Sequence, residues 1–298
     1  MPNLSLAESG QPSAPASQVG KGVALMLLAV MFIALIDPAA KYASRHLPVL
    51  QVVWARYAFG CLTAFALFRP SLDPRRWGIR RPGLQALRAA CLFGSTAFNF
   101  LALRDMGLVE NQAIVMLGPV VITALSILLF RERLQLLVGL GLLLGLVGAL
   151  LVIQPGADVF KLSAVYAVGN VLSYAFYVLL SKRLLSTESM LSLNIVAVAL
   201  PAIVLSIAVV PIWQWPDDSS GWVAMVLVGI IGGLGHFFLV VAHRHAPAST
   251  LAPLAYTQLC WALAGGLLIF AELPDLHTVA GAVVVLASGA VVMASGRR

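Results

Sequence analysis

Six polar side chains recur at helical spacing within one hydrophobic segment of the chain. They follow one another at i, i+4, i+7, i+8, i+11 and i+15, which places them on one stripe of a helix. They are Tyr166, Asn170, Ser173, Tyr174, Tyr177 and Ser181. In lipid such a stripe must face protein or water. It can be a packing seam of interhelical hydrogen bonds worth about 0.6 kcal/mol each. Three tyrosines and an asparagine exceed what a seam needs, so the pattern predicts the wall of a substrate cavity.

Two ionisable residues lie inside other hydrophobic segments. Asp37 is deep in the first and Arg56 is about one third of the way into the second. At 1.5 Å of rise per residue both lie roughly 9 to 12 Å below the same membrane surface. A charge at that depth needs a partner and indicates function. We interpret the two as an ion pair between the segments. The alternative is that Asp37 binds a coupling proton or a substrate ammonium group.

Four further residues are candidates for the same cavity. Asn99 and Tyr256 can either line it or pack helices together. His236 follows closely spaced glycines that let another helix approach. It can contact a ligand or have a proton-linked role. Trp261 sits deep within its segment, where its indole N–H needs a partner.

Composition sets the class of protein that positions these residues. The chain has 298 residues, of which 60% are hydrophobic and only 10% are charged, whereas a soluble domain carries about 25% charged residues. Apolar runs long enough to span a bilayer lie near residues 22–43, 48–68, 83–103, 110–130, 134–153, 162–181, 191–211, 221–242, 249–271 and 278–296. The pattern predicts an all-α polytopic membrane protein with ten transmembrane helices, because lipid cannot satisfy unpaired backbone amides.

The basic residues predict the orientation. With the N-terminus inside, 14 of the 19 Lys and Arg residues fall on the cytoplasmic side and four on the other side. This asymmetry predicts that both termini are cytoplasmic. The net charge of +7 follows from this topology and from contact with anionic lipid, so we expect no nucleic-acid partner. The three cysteines lie within predicted spans and indicate neither a disulfide nor a metal site.

The chain also repeats itself at an offset of 140 residues. Arg104 matches Arg244, and the pair Phe130-x-Glu132 matches Phe270-x-Glu272. Five spans per half would make the second half enter the membrane in the opposite sense, as in transporters built from inverted repeats around a central cavity. We predict a disordered cytoplasmic tail at 1–19, a first five-helix repeat at 20–153 and a second at 160–296.

Two stretches carry a resemblance to a known family. One runs from Arg104-Asp-Met-Gly-Leu to Phe130-Arg-Glu132, and the other from Gly233-Leu-Gly-His236 to Phe270-Ala-Glu272. They resemble the EamA family of the drug/metabolite transporter superfamily over about residues 21 to 296. The resemblance implies ten spans in two inverted repeats, with a cavity formed by spans one, three, four, six, eight and nine. Members of this family include bacterial exporters of amino acids and related metabolites, and together they serve many solutes, so the resemblance implies transport without assigning the substrate.

The sequence therefore predicts a secondary transporter of the bacterial inner membrane. It would export small neutral or zwitterionic metabolites, with amino acids including aromatic ones as the leading class, by alternating access. The alternatives are a multidrug or lipophilic-cation exporter and, from another class, a membrane enzyme or scaffold. No motif indicates catalysis, a cofactor or a metal. The expected partners are a small-molecule substrate, the lipid bilayer and, through the glycines of span five, a second copy in a homodimer.

Overall fold

The computed structural model describes residues 16–68, 78–130, 136–153, 162–246 and 251–295. Within these ranges the chain is helical and contains no strand. Its α-helices are α1 (Ala16–His46), α2 (Val49–Phe68), α3 (Pro82–Asp105), α4 (Leu108–Val115), α5 (Gly118–Phe130), α6 (Leu136–Ile153), α7 (Leu162–Leu184), α8 (Met190–Ala208), α9 (Ser219–Ala242), α10 (Gln258–Phe270) and α11 (Leu276–Ser295). Short 3-10 segments precede α9 (Val210–Ile212) and α10 (Ala252–Thr257).

The lengths of these helices are those of a multi-pass membrane protein. Among the described residues, six helical stretches are long and apolar enough to cross a bilayer, counting α4 and α5 as one stretch. Four shorter apolar helices lie at 139–153, 192–208, 254–270 and 276–291. The class predicted from composition is thereby confirmed, whereas the count of ten spans stays a prediction.

The first helix departs from the predicted boundaries at its N-terminus. It begins at Ala16, inside the stretch 1–19 that we expected to be a disordered tail, and residues 1–15 lie outside the described ranges. The helix then continues through Pro38. A methyl group on Gly265 of α10 would meet the Pro38 ring at 3.1 Å, so this segment of α1 is packed closely against α10.

The 140-residue repeat reappears in the helix boundaries. Helix α5 begins at Gly118 and α10 at Gln258, an offset of 140 residues. Each half also interrupts its fourth apolar stretch at the same point: α4 ends just before α5, and a 3-10 segment leads into α10. Interrupted helices at matching positions of two halves are typical of transporters, where they mark the binding region.

Contacts at the helix ends give the directions of the two halves. Lys41, near the C-terminus of α1, donates to the Met106 carbonyl just beyond the C-terminus of α3. Ser181, near the C-terminus of α7, bonds Arg88 near the N-terminus of α3. Helices α1 and α7, which occupy matching places in the repeat, therefore run in opposite directions. We call the end with Lys41 the outer end, after the predicted orientation, and the other the inner end.

Glycines allow the closest helix contacts. A methyl group on Gly229 of α9 would collide with Phe59 and would lie 2.7 Å from the Ala55 carbonyl oxygen of α2. On α6, a methyl group on Gly148 would lie 2.9 Å from the Gly281 carbonyl oxygen of α11. The glycines of span five, which suggested a packing or dimer surface, therefore serve helix packing inside the chain at Gly148. The homodimer stays a prediction.

Candidate functional site

A chain of hydrogen bonds centred on Asn99 joins four helices inside the bundle. Asn99 donates from Nδ2 to Asp37 Oδ1 at 3.0 Å. Its Oδ1 accepts from Asn111 Nδ2 at 2.8 Å and from Asn170 Nδ2 at 3.1 Å. Ser95, one turn earlier on α3, donates to Asn170 Oδ1 at 2.7 Å. The network connects α1, α3 and α4 of the first half with α7 of the second, so both halves position it.

The predicted ion pair between Asp37 and Arg56 is wrong. Asp37 lies on the side of α1 that meets α3, where the Asn99 amide takes the place of a cation. Arg56 instead lies beside α9, and a methyl group on Gly232 would come within 2.5 Å of its Cζ. Equal depth in neighbouring helices had suggested a pair, but the two side chains leave their helices toward different neighbours.

The polar stripe on α7 faces α3 along much of its length. Tyr166 stacks on Phe98 with 6.3 Å between the ring centroids. Ser173 lies beside Gly94, where a methyl group would be 3.4 Å from its hydroxyl. These two residues therefore belong to the seam between α3 and α7 as much as to a cavity. Tyr174 differs, because its side chain is 43% exposed.

Arg88 organises the inner part of the same stripe. Its guanidinium donates to Ser181 Oγ at 2.6 Å, to the Leu193 carbonyl at 2.8 Å and to Tyr177 Oη at 2.9 Å. It also lies 4.5 Å from the centroid of the Tyr177 ring. The Tyr177 hydroxyl therefore already accepts a hydrogen bond from Arg88. Arg88 had been counted only as one of the cytoplasmic positive charges, and its position about two turns into α3 was the signal that it is buried.

An ion-pair cluster closes the outer end between the two halves. Lys41 of α1 is 1% exposed and lies 2.6 and 2.9 Å from the two carboxylate oxygens of Glu272, which follows α10. Arg45 reaches the same carboxylate at 3.4 Å. Leu108 N–H donates to it at 3.4 Å. The cluster lines a cavity of about 270 Å³. Glu272 thus anchors the end of its helix, whereas its repeat counterpart Glu132 lies outside the described residues.

The remaining predicted site residues are dispersed. His236 of α9 is exposed and lies four residues after Gly232, which packs against Arg56. Trp261 of α10 is 39% exposed, and its indole N–H donates no hydrogen bond to another residue in the described part of the chain. For Tyr256 the sequence left open a place in the cavity wall or a role in helix packing. Its buried hydroxyl packs against Gly289 of α11 and has no hydrogen-bond partner among the described residues. Tyr256 lies in the 3-10 segment that precedes α10.

Asn111 is the site residue that the sequence did not single out. It is fully buried, and it stands in the polar run Glu110-Asn111-Gln112 at the start of an otherwise apolar stretch, which was the available signal. Gln112, its neighbour, bonds Gln258 of the second half at 3.2 Å. The described residues contain no cluster of three His, Cys, Asp or Glu side chains that could hold a metal. The arrangement offers amides, hydroxyls and one carboxylate for polar recognition.

Multiple apolar helices in two matching halves, joined by a polar network and a cross-half ion pair, define a multi-pass membrane transporter. The sequence profile of the EamA-like transporter family matches residues 20–154 and 161–294. The chain belongs to the EamA-like transporter family. It is a transporter and not an enzyme, because its relatives are named transporters of this family.

Relatives in this family carry different substrates. The chain is 26% identical over 277 residues to a riboflavin transporter of Vibrio cholerae, covering 90% of this chain and 91% of that one. It is 25% identical to a pseudopaline exporter of Pseudomonas aeruginosa, covering 89% and 93%. It is also 25% identical to an S-adenosylmethionine uptake transporter of Rickettsia conorii, covering 89% and 90%. A solved crystal structure shares the fold with a TM-score of 0.63 at 18% identity, covering 94% of this chain and 98% of that one.

Proposed function

We propose that the protein is a secondary transporter of the bacterial inner membrane with ten spans in two inverted five-helix repeats, 20–153 and 160–296. Three observations support this architecture: helices that begin 140 residues apart, the opposite directions of α1 and α7, and the interrupted fourth stretch of each half. Alternating access follows if the halves rock around a site between them. The cluster at Lys41 and Glu272 then closes the outer side.

The proposed substrate is a small neutral or zwitterionic metabolite, with amino acids including aromatic ones as the leading class and export as the direction. The observation that carries this is the network from Asp37 through Asn99 to Asn170. It presents amides and a single carboxylate rather than the cluster of cations that a polyanion needs. Exposed aromatic rings at Tyr174 and Trp261 suit an apolar or aromatic side chain.

Lipophilic-cation export is the second candidate, and one observation favours it. Asp37 is half-buried, and no Lys or Arg among the described residues pairs with it. An anionic group inside a membrane protein can bind an organic cation as readily as the ammonium of an amino acid. The two candidates differ in whether the substrate must also carry a carboxylate.

Flux into proteoliposomes tests the proposal. The reconstituted protein should take up labelled members of an amino-acid panel, with aromatic and branched members among them, and a pH gradient should show whether protons are coupled. Phosphonium and quaternary ammonium dyes form the comparison set. Uptake of the dyes without uptake of any amino acid would replace the first candidate by the second.

Cysteine accessibility tests the proposed orientation. In a variant free of native cysteines, Ser219→Cys at the N-terminus of α9 should react with an impermeant maleimide in intact cells. Ser186→Cys, after α7, should react only after permeabilisation. Both serines are exposed, so the comparison is matched, and the reverse pattern would place both termini outside.

A further inference from the structure

The guanidinium of Arg56 has no neutralising partner in the described protein. None of the ion pairs between described residues includes Arg56, and no hydrogen bond of its side chain is recorded in the same ranges. The side chain is half-buried within α2. A charge held inside a membrane-spanning helix without a partner is costly, and such residues mark the path of a substrate or ion.

The fold makes room for this charge through glycines. A methyl group on Gly232 of α9 would lie 2.5 Å from Arg56 Cζ and 2.8 Å from Nη1. One turn along α2, a methyl group on Gly60 would lie 3.0 Å from Nη1. The guanidinium therefore occupies space that a side chain at either position would fill. The position of the charge is built into the contact between α2 and α9.

A second N–H donor lies on the face of α9 that meets Arg56. His236 stands four residues after Gly232 on α9, so both lie on one face of that helix. Its side chain is exposed, and Gly232 on the same face of α9 lies against Arg56. No hydrogen bond of the His236 ring to another described residue is recorded. The guanidinium and the imidazole therefore lie on the same side of α9, and neither has a hydrogen-bond acceptor among the described residues.

We propose that Arg56 and His236 form a subsite for the carboxylate of the transported solute. The planar fork of an arginine matches a carboxylate in a bidentate pair, which an ammonium group cannot do, and the imidazole N–H supplies a further donor. The inference rests on the proposed transport function, and it adds a requirement. A substrate must carry a carboxylate that binds at the Arg56 subsite. Asp37, on another helix, can bind a cationic group of the same substrate.

Three probes separate this subsite from transport itself. Thermal unfolding of the purified protein is measured with L-phenylalanine, with L-phenylalaninamide, which lacks the carboxylate, and with phenylacetate, which lacks the ammonium group. L-phenylalanine and phenylacetate, which both carry a carboxylate, should stabilise the wild type, whereas L-phenylalaninamide should not. Arg56→Gln should weaken carboxylate binding on the order of 10- to 100-fold, the range expected for charge-assisted hydrogen bonds.

Gly232→Ala provides a second variant that keeps the charge. The added methyl group would displace the guanidinium. The variant should therefore bind L-phenylalanine and phenylacetate more weakly, as Arg56→Gln does. The control is Gly20→Ala, because a methyl group there meets no atom within 4 Å, and it should bind both probes like the wild type. Should Arg56→Gln fail to fold, Gly232→Ala and the comparison of acid with amide still decide the question.

The outcomes distinguish the subsite from the proposed function. Stabilisation by phenylacetate through Arg56, together with no amino-acid flux into proteoliposomes, would keep the subsite and refute amino-acid transport. Amino-acid flux, together with equal stabilisation by acid and amide, would keep the function and overturn the subsite. A wild type that neither carboxylate stabilises would also overturn it.

Discussion

Neutralising Glu272 should destabilise the protein strongly, because it strands the ammonium of Lys41. That ammonium is 1% exposed, and its Nζ lies 2.6 and 2.9 Å from the two Glu272 oxygens. Removing one partner of a buried pair costs about 3 to 5 kcal/mol. The carboxylate is 28% exposed, so solvent weakens the interaction and we expect the lower end, about 3 kcal/mol for Glu272→Gln.

Two comparisons isolate the buried pair. Arg45 contacts the same carboxylate at 3.4 Å but is 46% exposed, so Arg45→Gln should cost less than about 1 kcal/mol. Replacing both members of the pair, as in Lys41→Met with Glu272→Gln, removes the stranded charge. The double variant should therefore be much more stable than Glu272→Gln alone.

Fluorescence-detected thermal unfolding in detergent measures the ranking. A loss of about 3 kcal/mol corresponds to a midpoint shift on the order of 5 to 10 °C for a chain of this size. Arg45→Gln should shift the midpoint by no more than about 3 °C. Equal shifts for Glu272→Gln and Arg45→Gln, or a double variant no better than the worse single one, would refute the account of the outer closure.

Further variants test the interior. Asp37→Asn and Arg56→Gln should each impair transport. Combining them should not rescue expression or flux, because no ion pair joins the two residues. Recovery in the double variant would show that the two residues do form an ion pair. Gly229→Ala should lower the unfolding midpoint because its methyl group would collide with Phe59, whereas Gly20→Ala should leave it unchanged or slightly higher. Equal midpoints for the two glycine variants would contradict the close contact of α9 with α2.

The arrangement of helices was largely predictable from the sequence. Apolar runs located the helices because lipid enforces both helical backbone and spanning length. The 140-residue offset, seen in Phe130 and Phe270, also governs where α5 and α10 begin. What the sequence missed was local: the start of α1 at Ala16, and the 3-10 backbone before α10 that contains Tyr256. Boundary residues carry little hydrophobic signal, and tertiary packing decides them.

The site was predicted less completely because periodicity gives the face of a helix but not its neighbour. Asn99 and Asn170 were identified as polar groups in apolar helices, and the structure brings them together with Asp37. The pairing of Asp37 with Arg56 failed because equal depth does not specify which helix each side chain meets. Asn111 was passed over because it stands near a helix start, where polar residues are ordinary.

Counterflow by the wild type and by a variant of the Asn99 network tests the central claim most directly. Proteoliposomes loaded with an unlabelled amino acid should exchange it for labelled external amino acid. Asn99→Ala removes the residue that bonds Asp37, Asn111 and Asn170, so exchange should fall at least tenfold. Leu172→Ala, at an exposed position of α7, should exchange like the wild type. Full exchange by a folded Asn99→Ala, or no exchange of any amino acid by the wild type, would contradict the account.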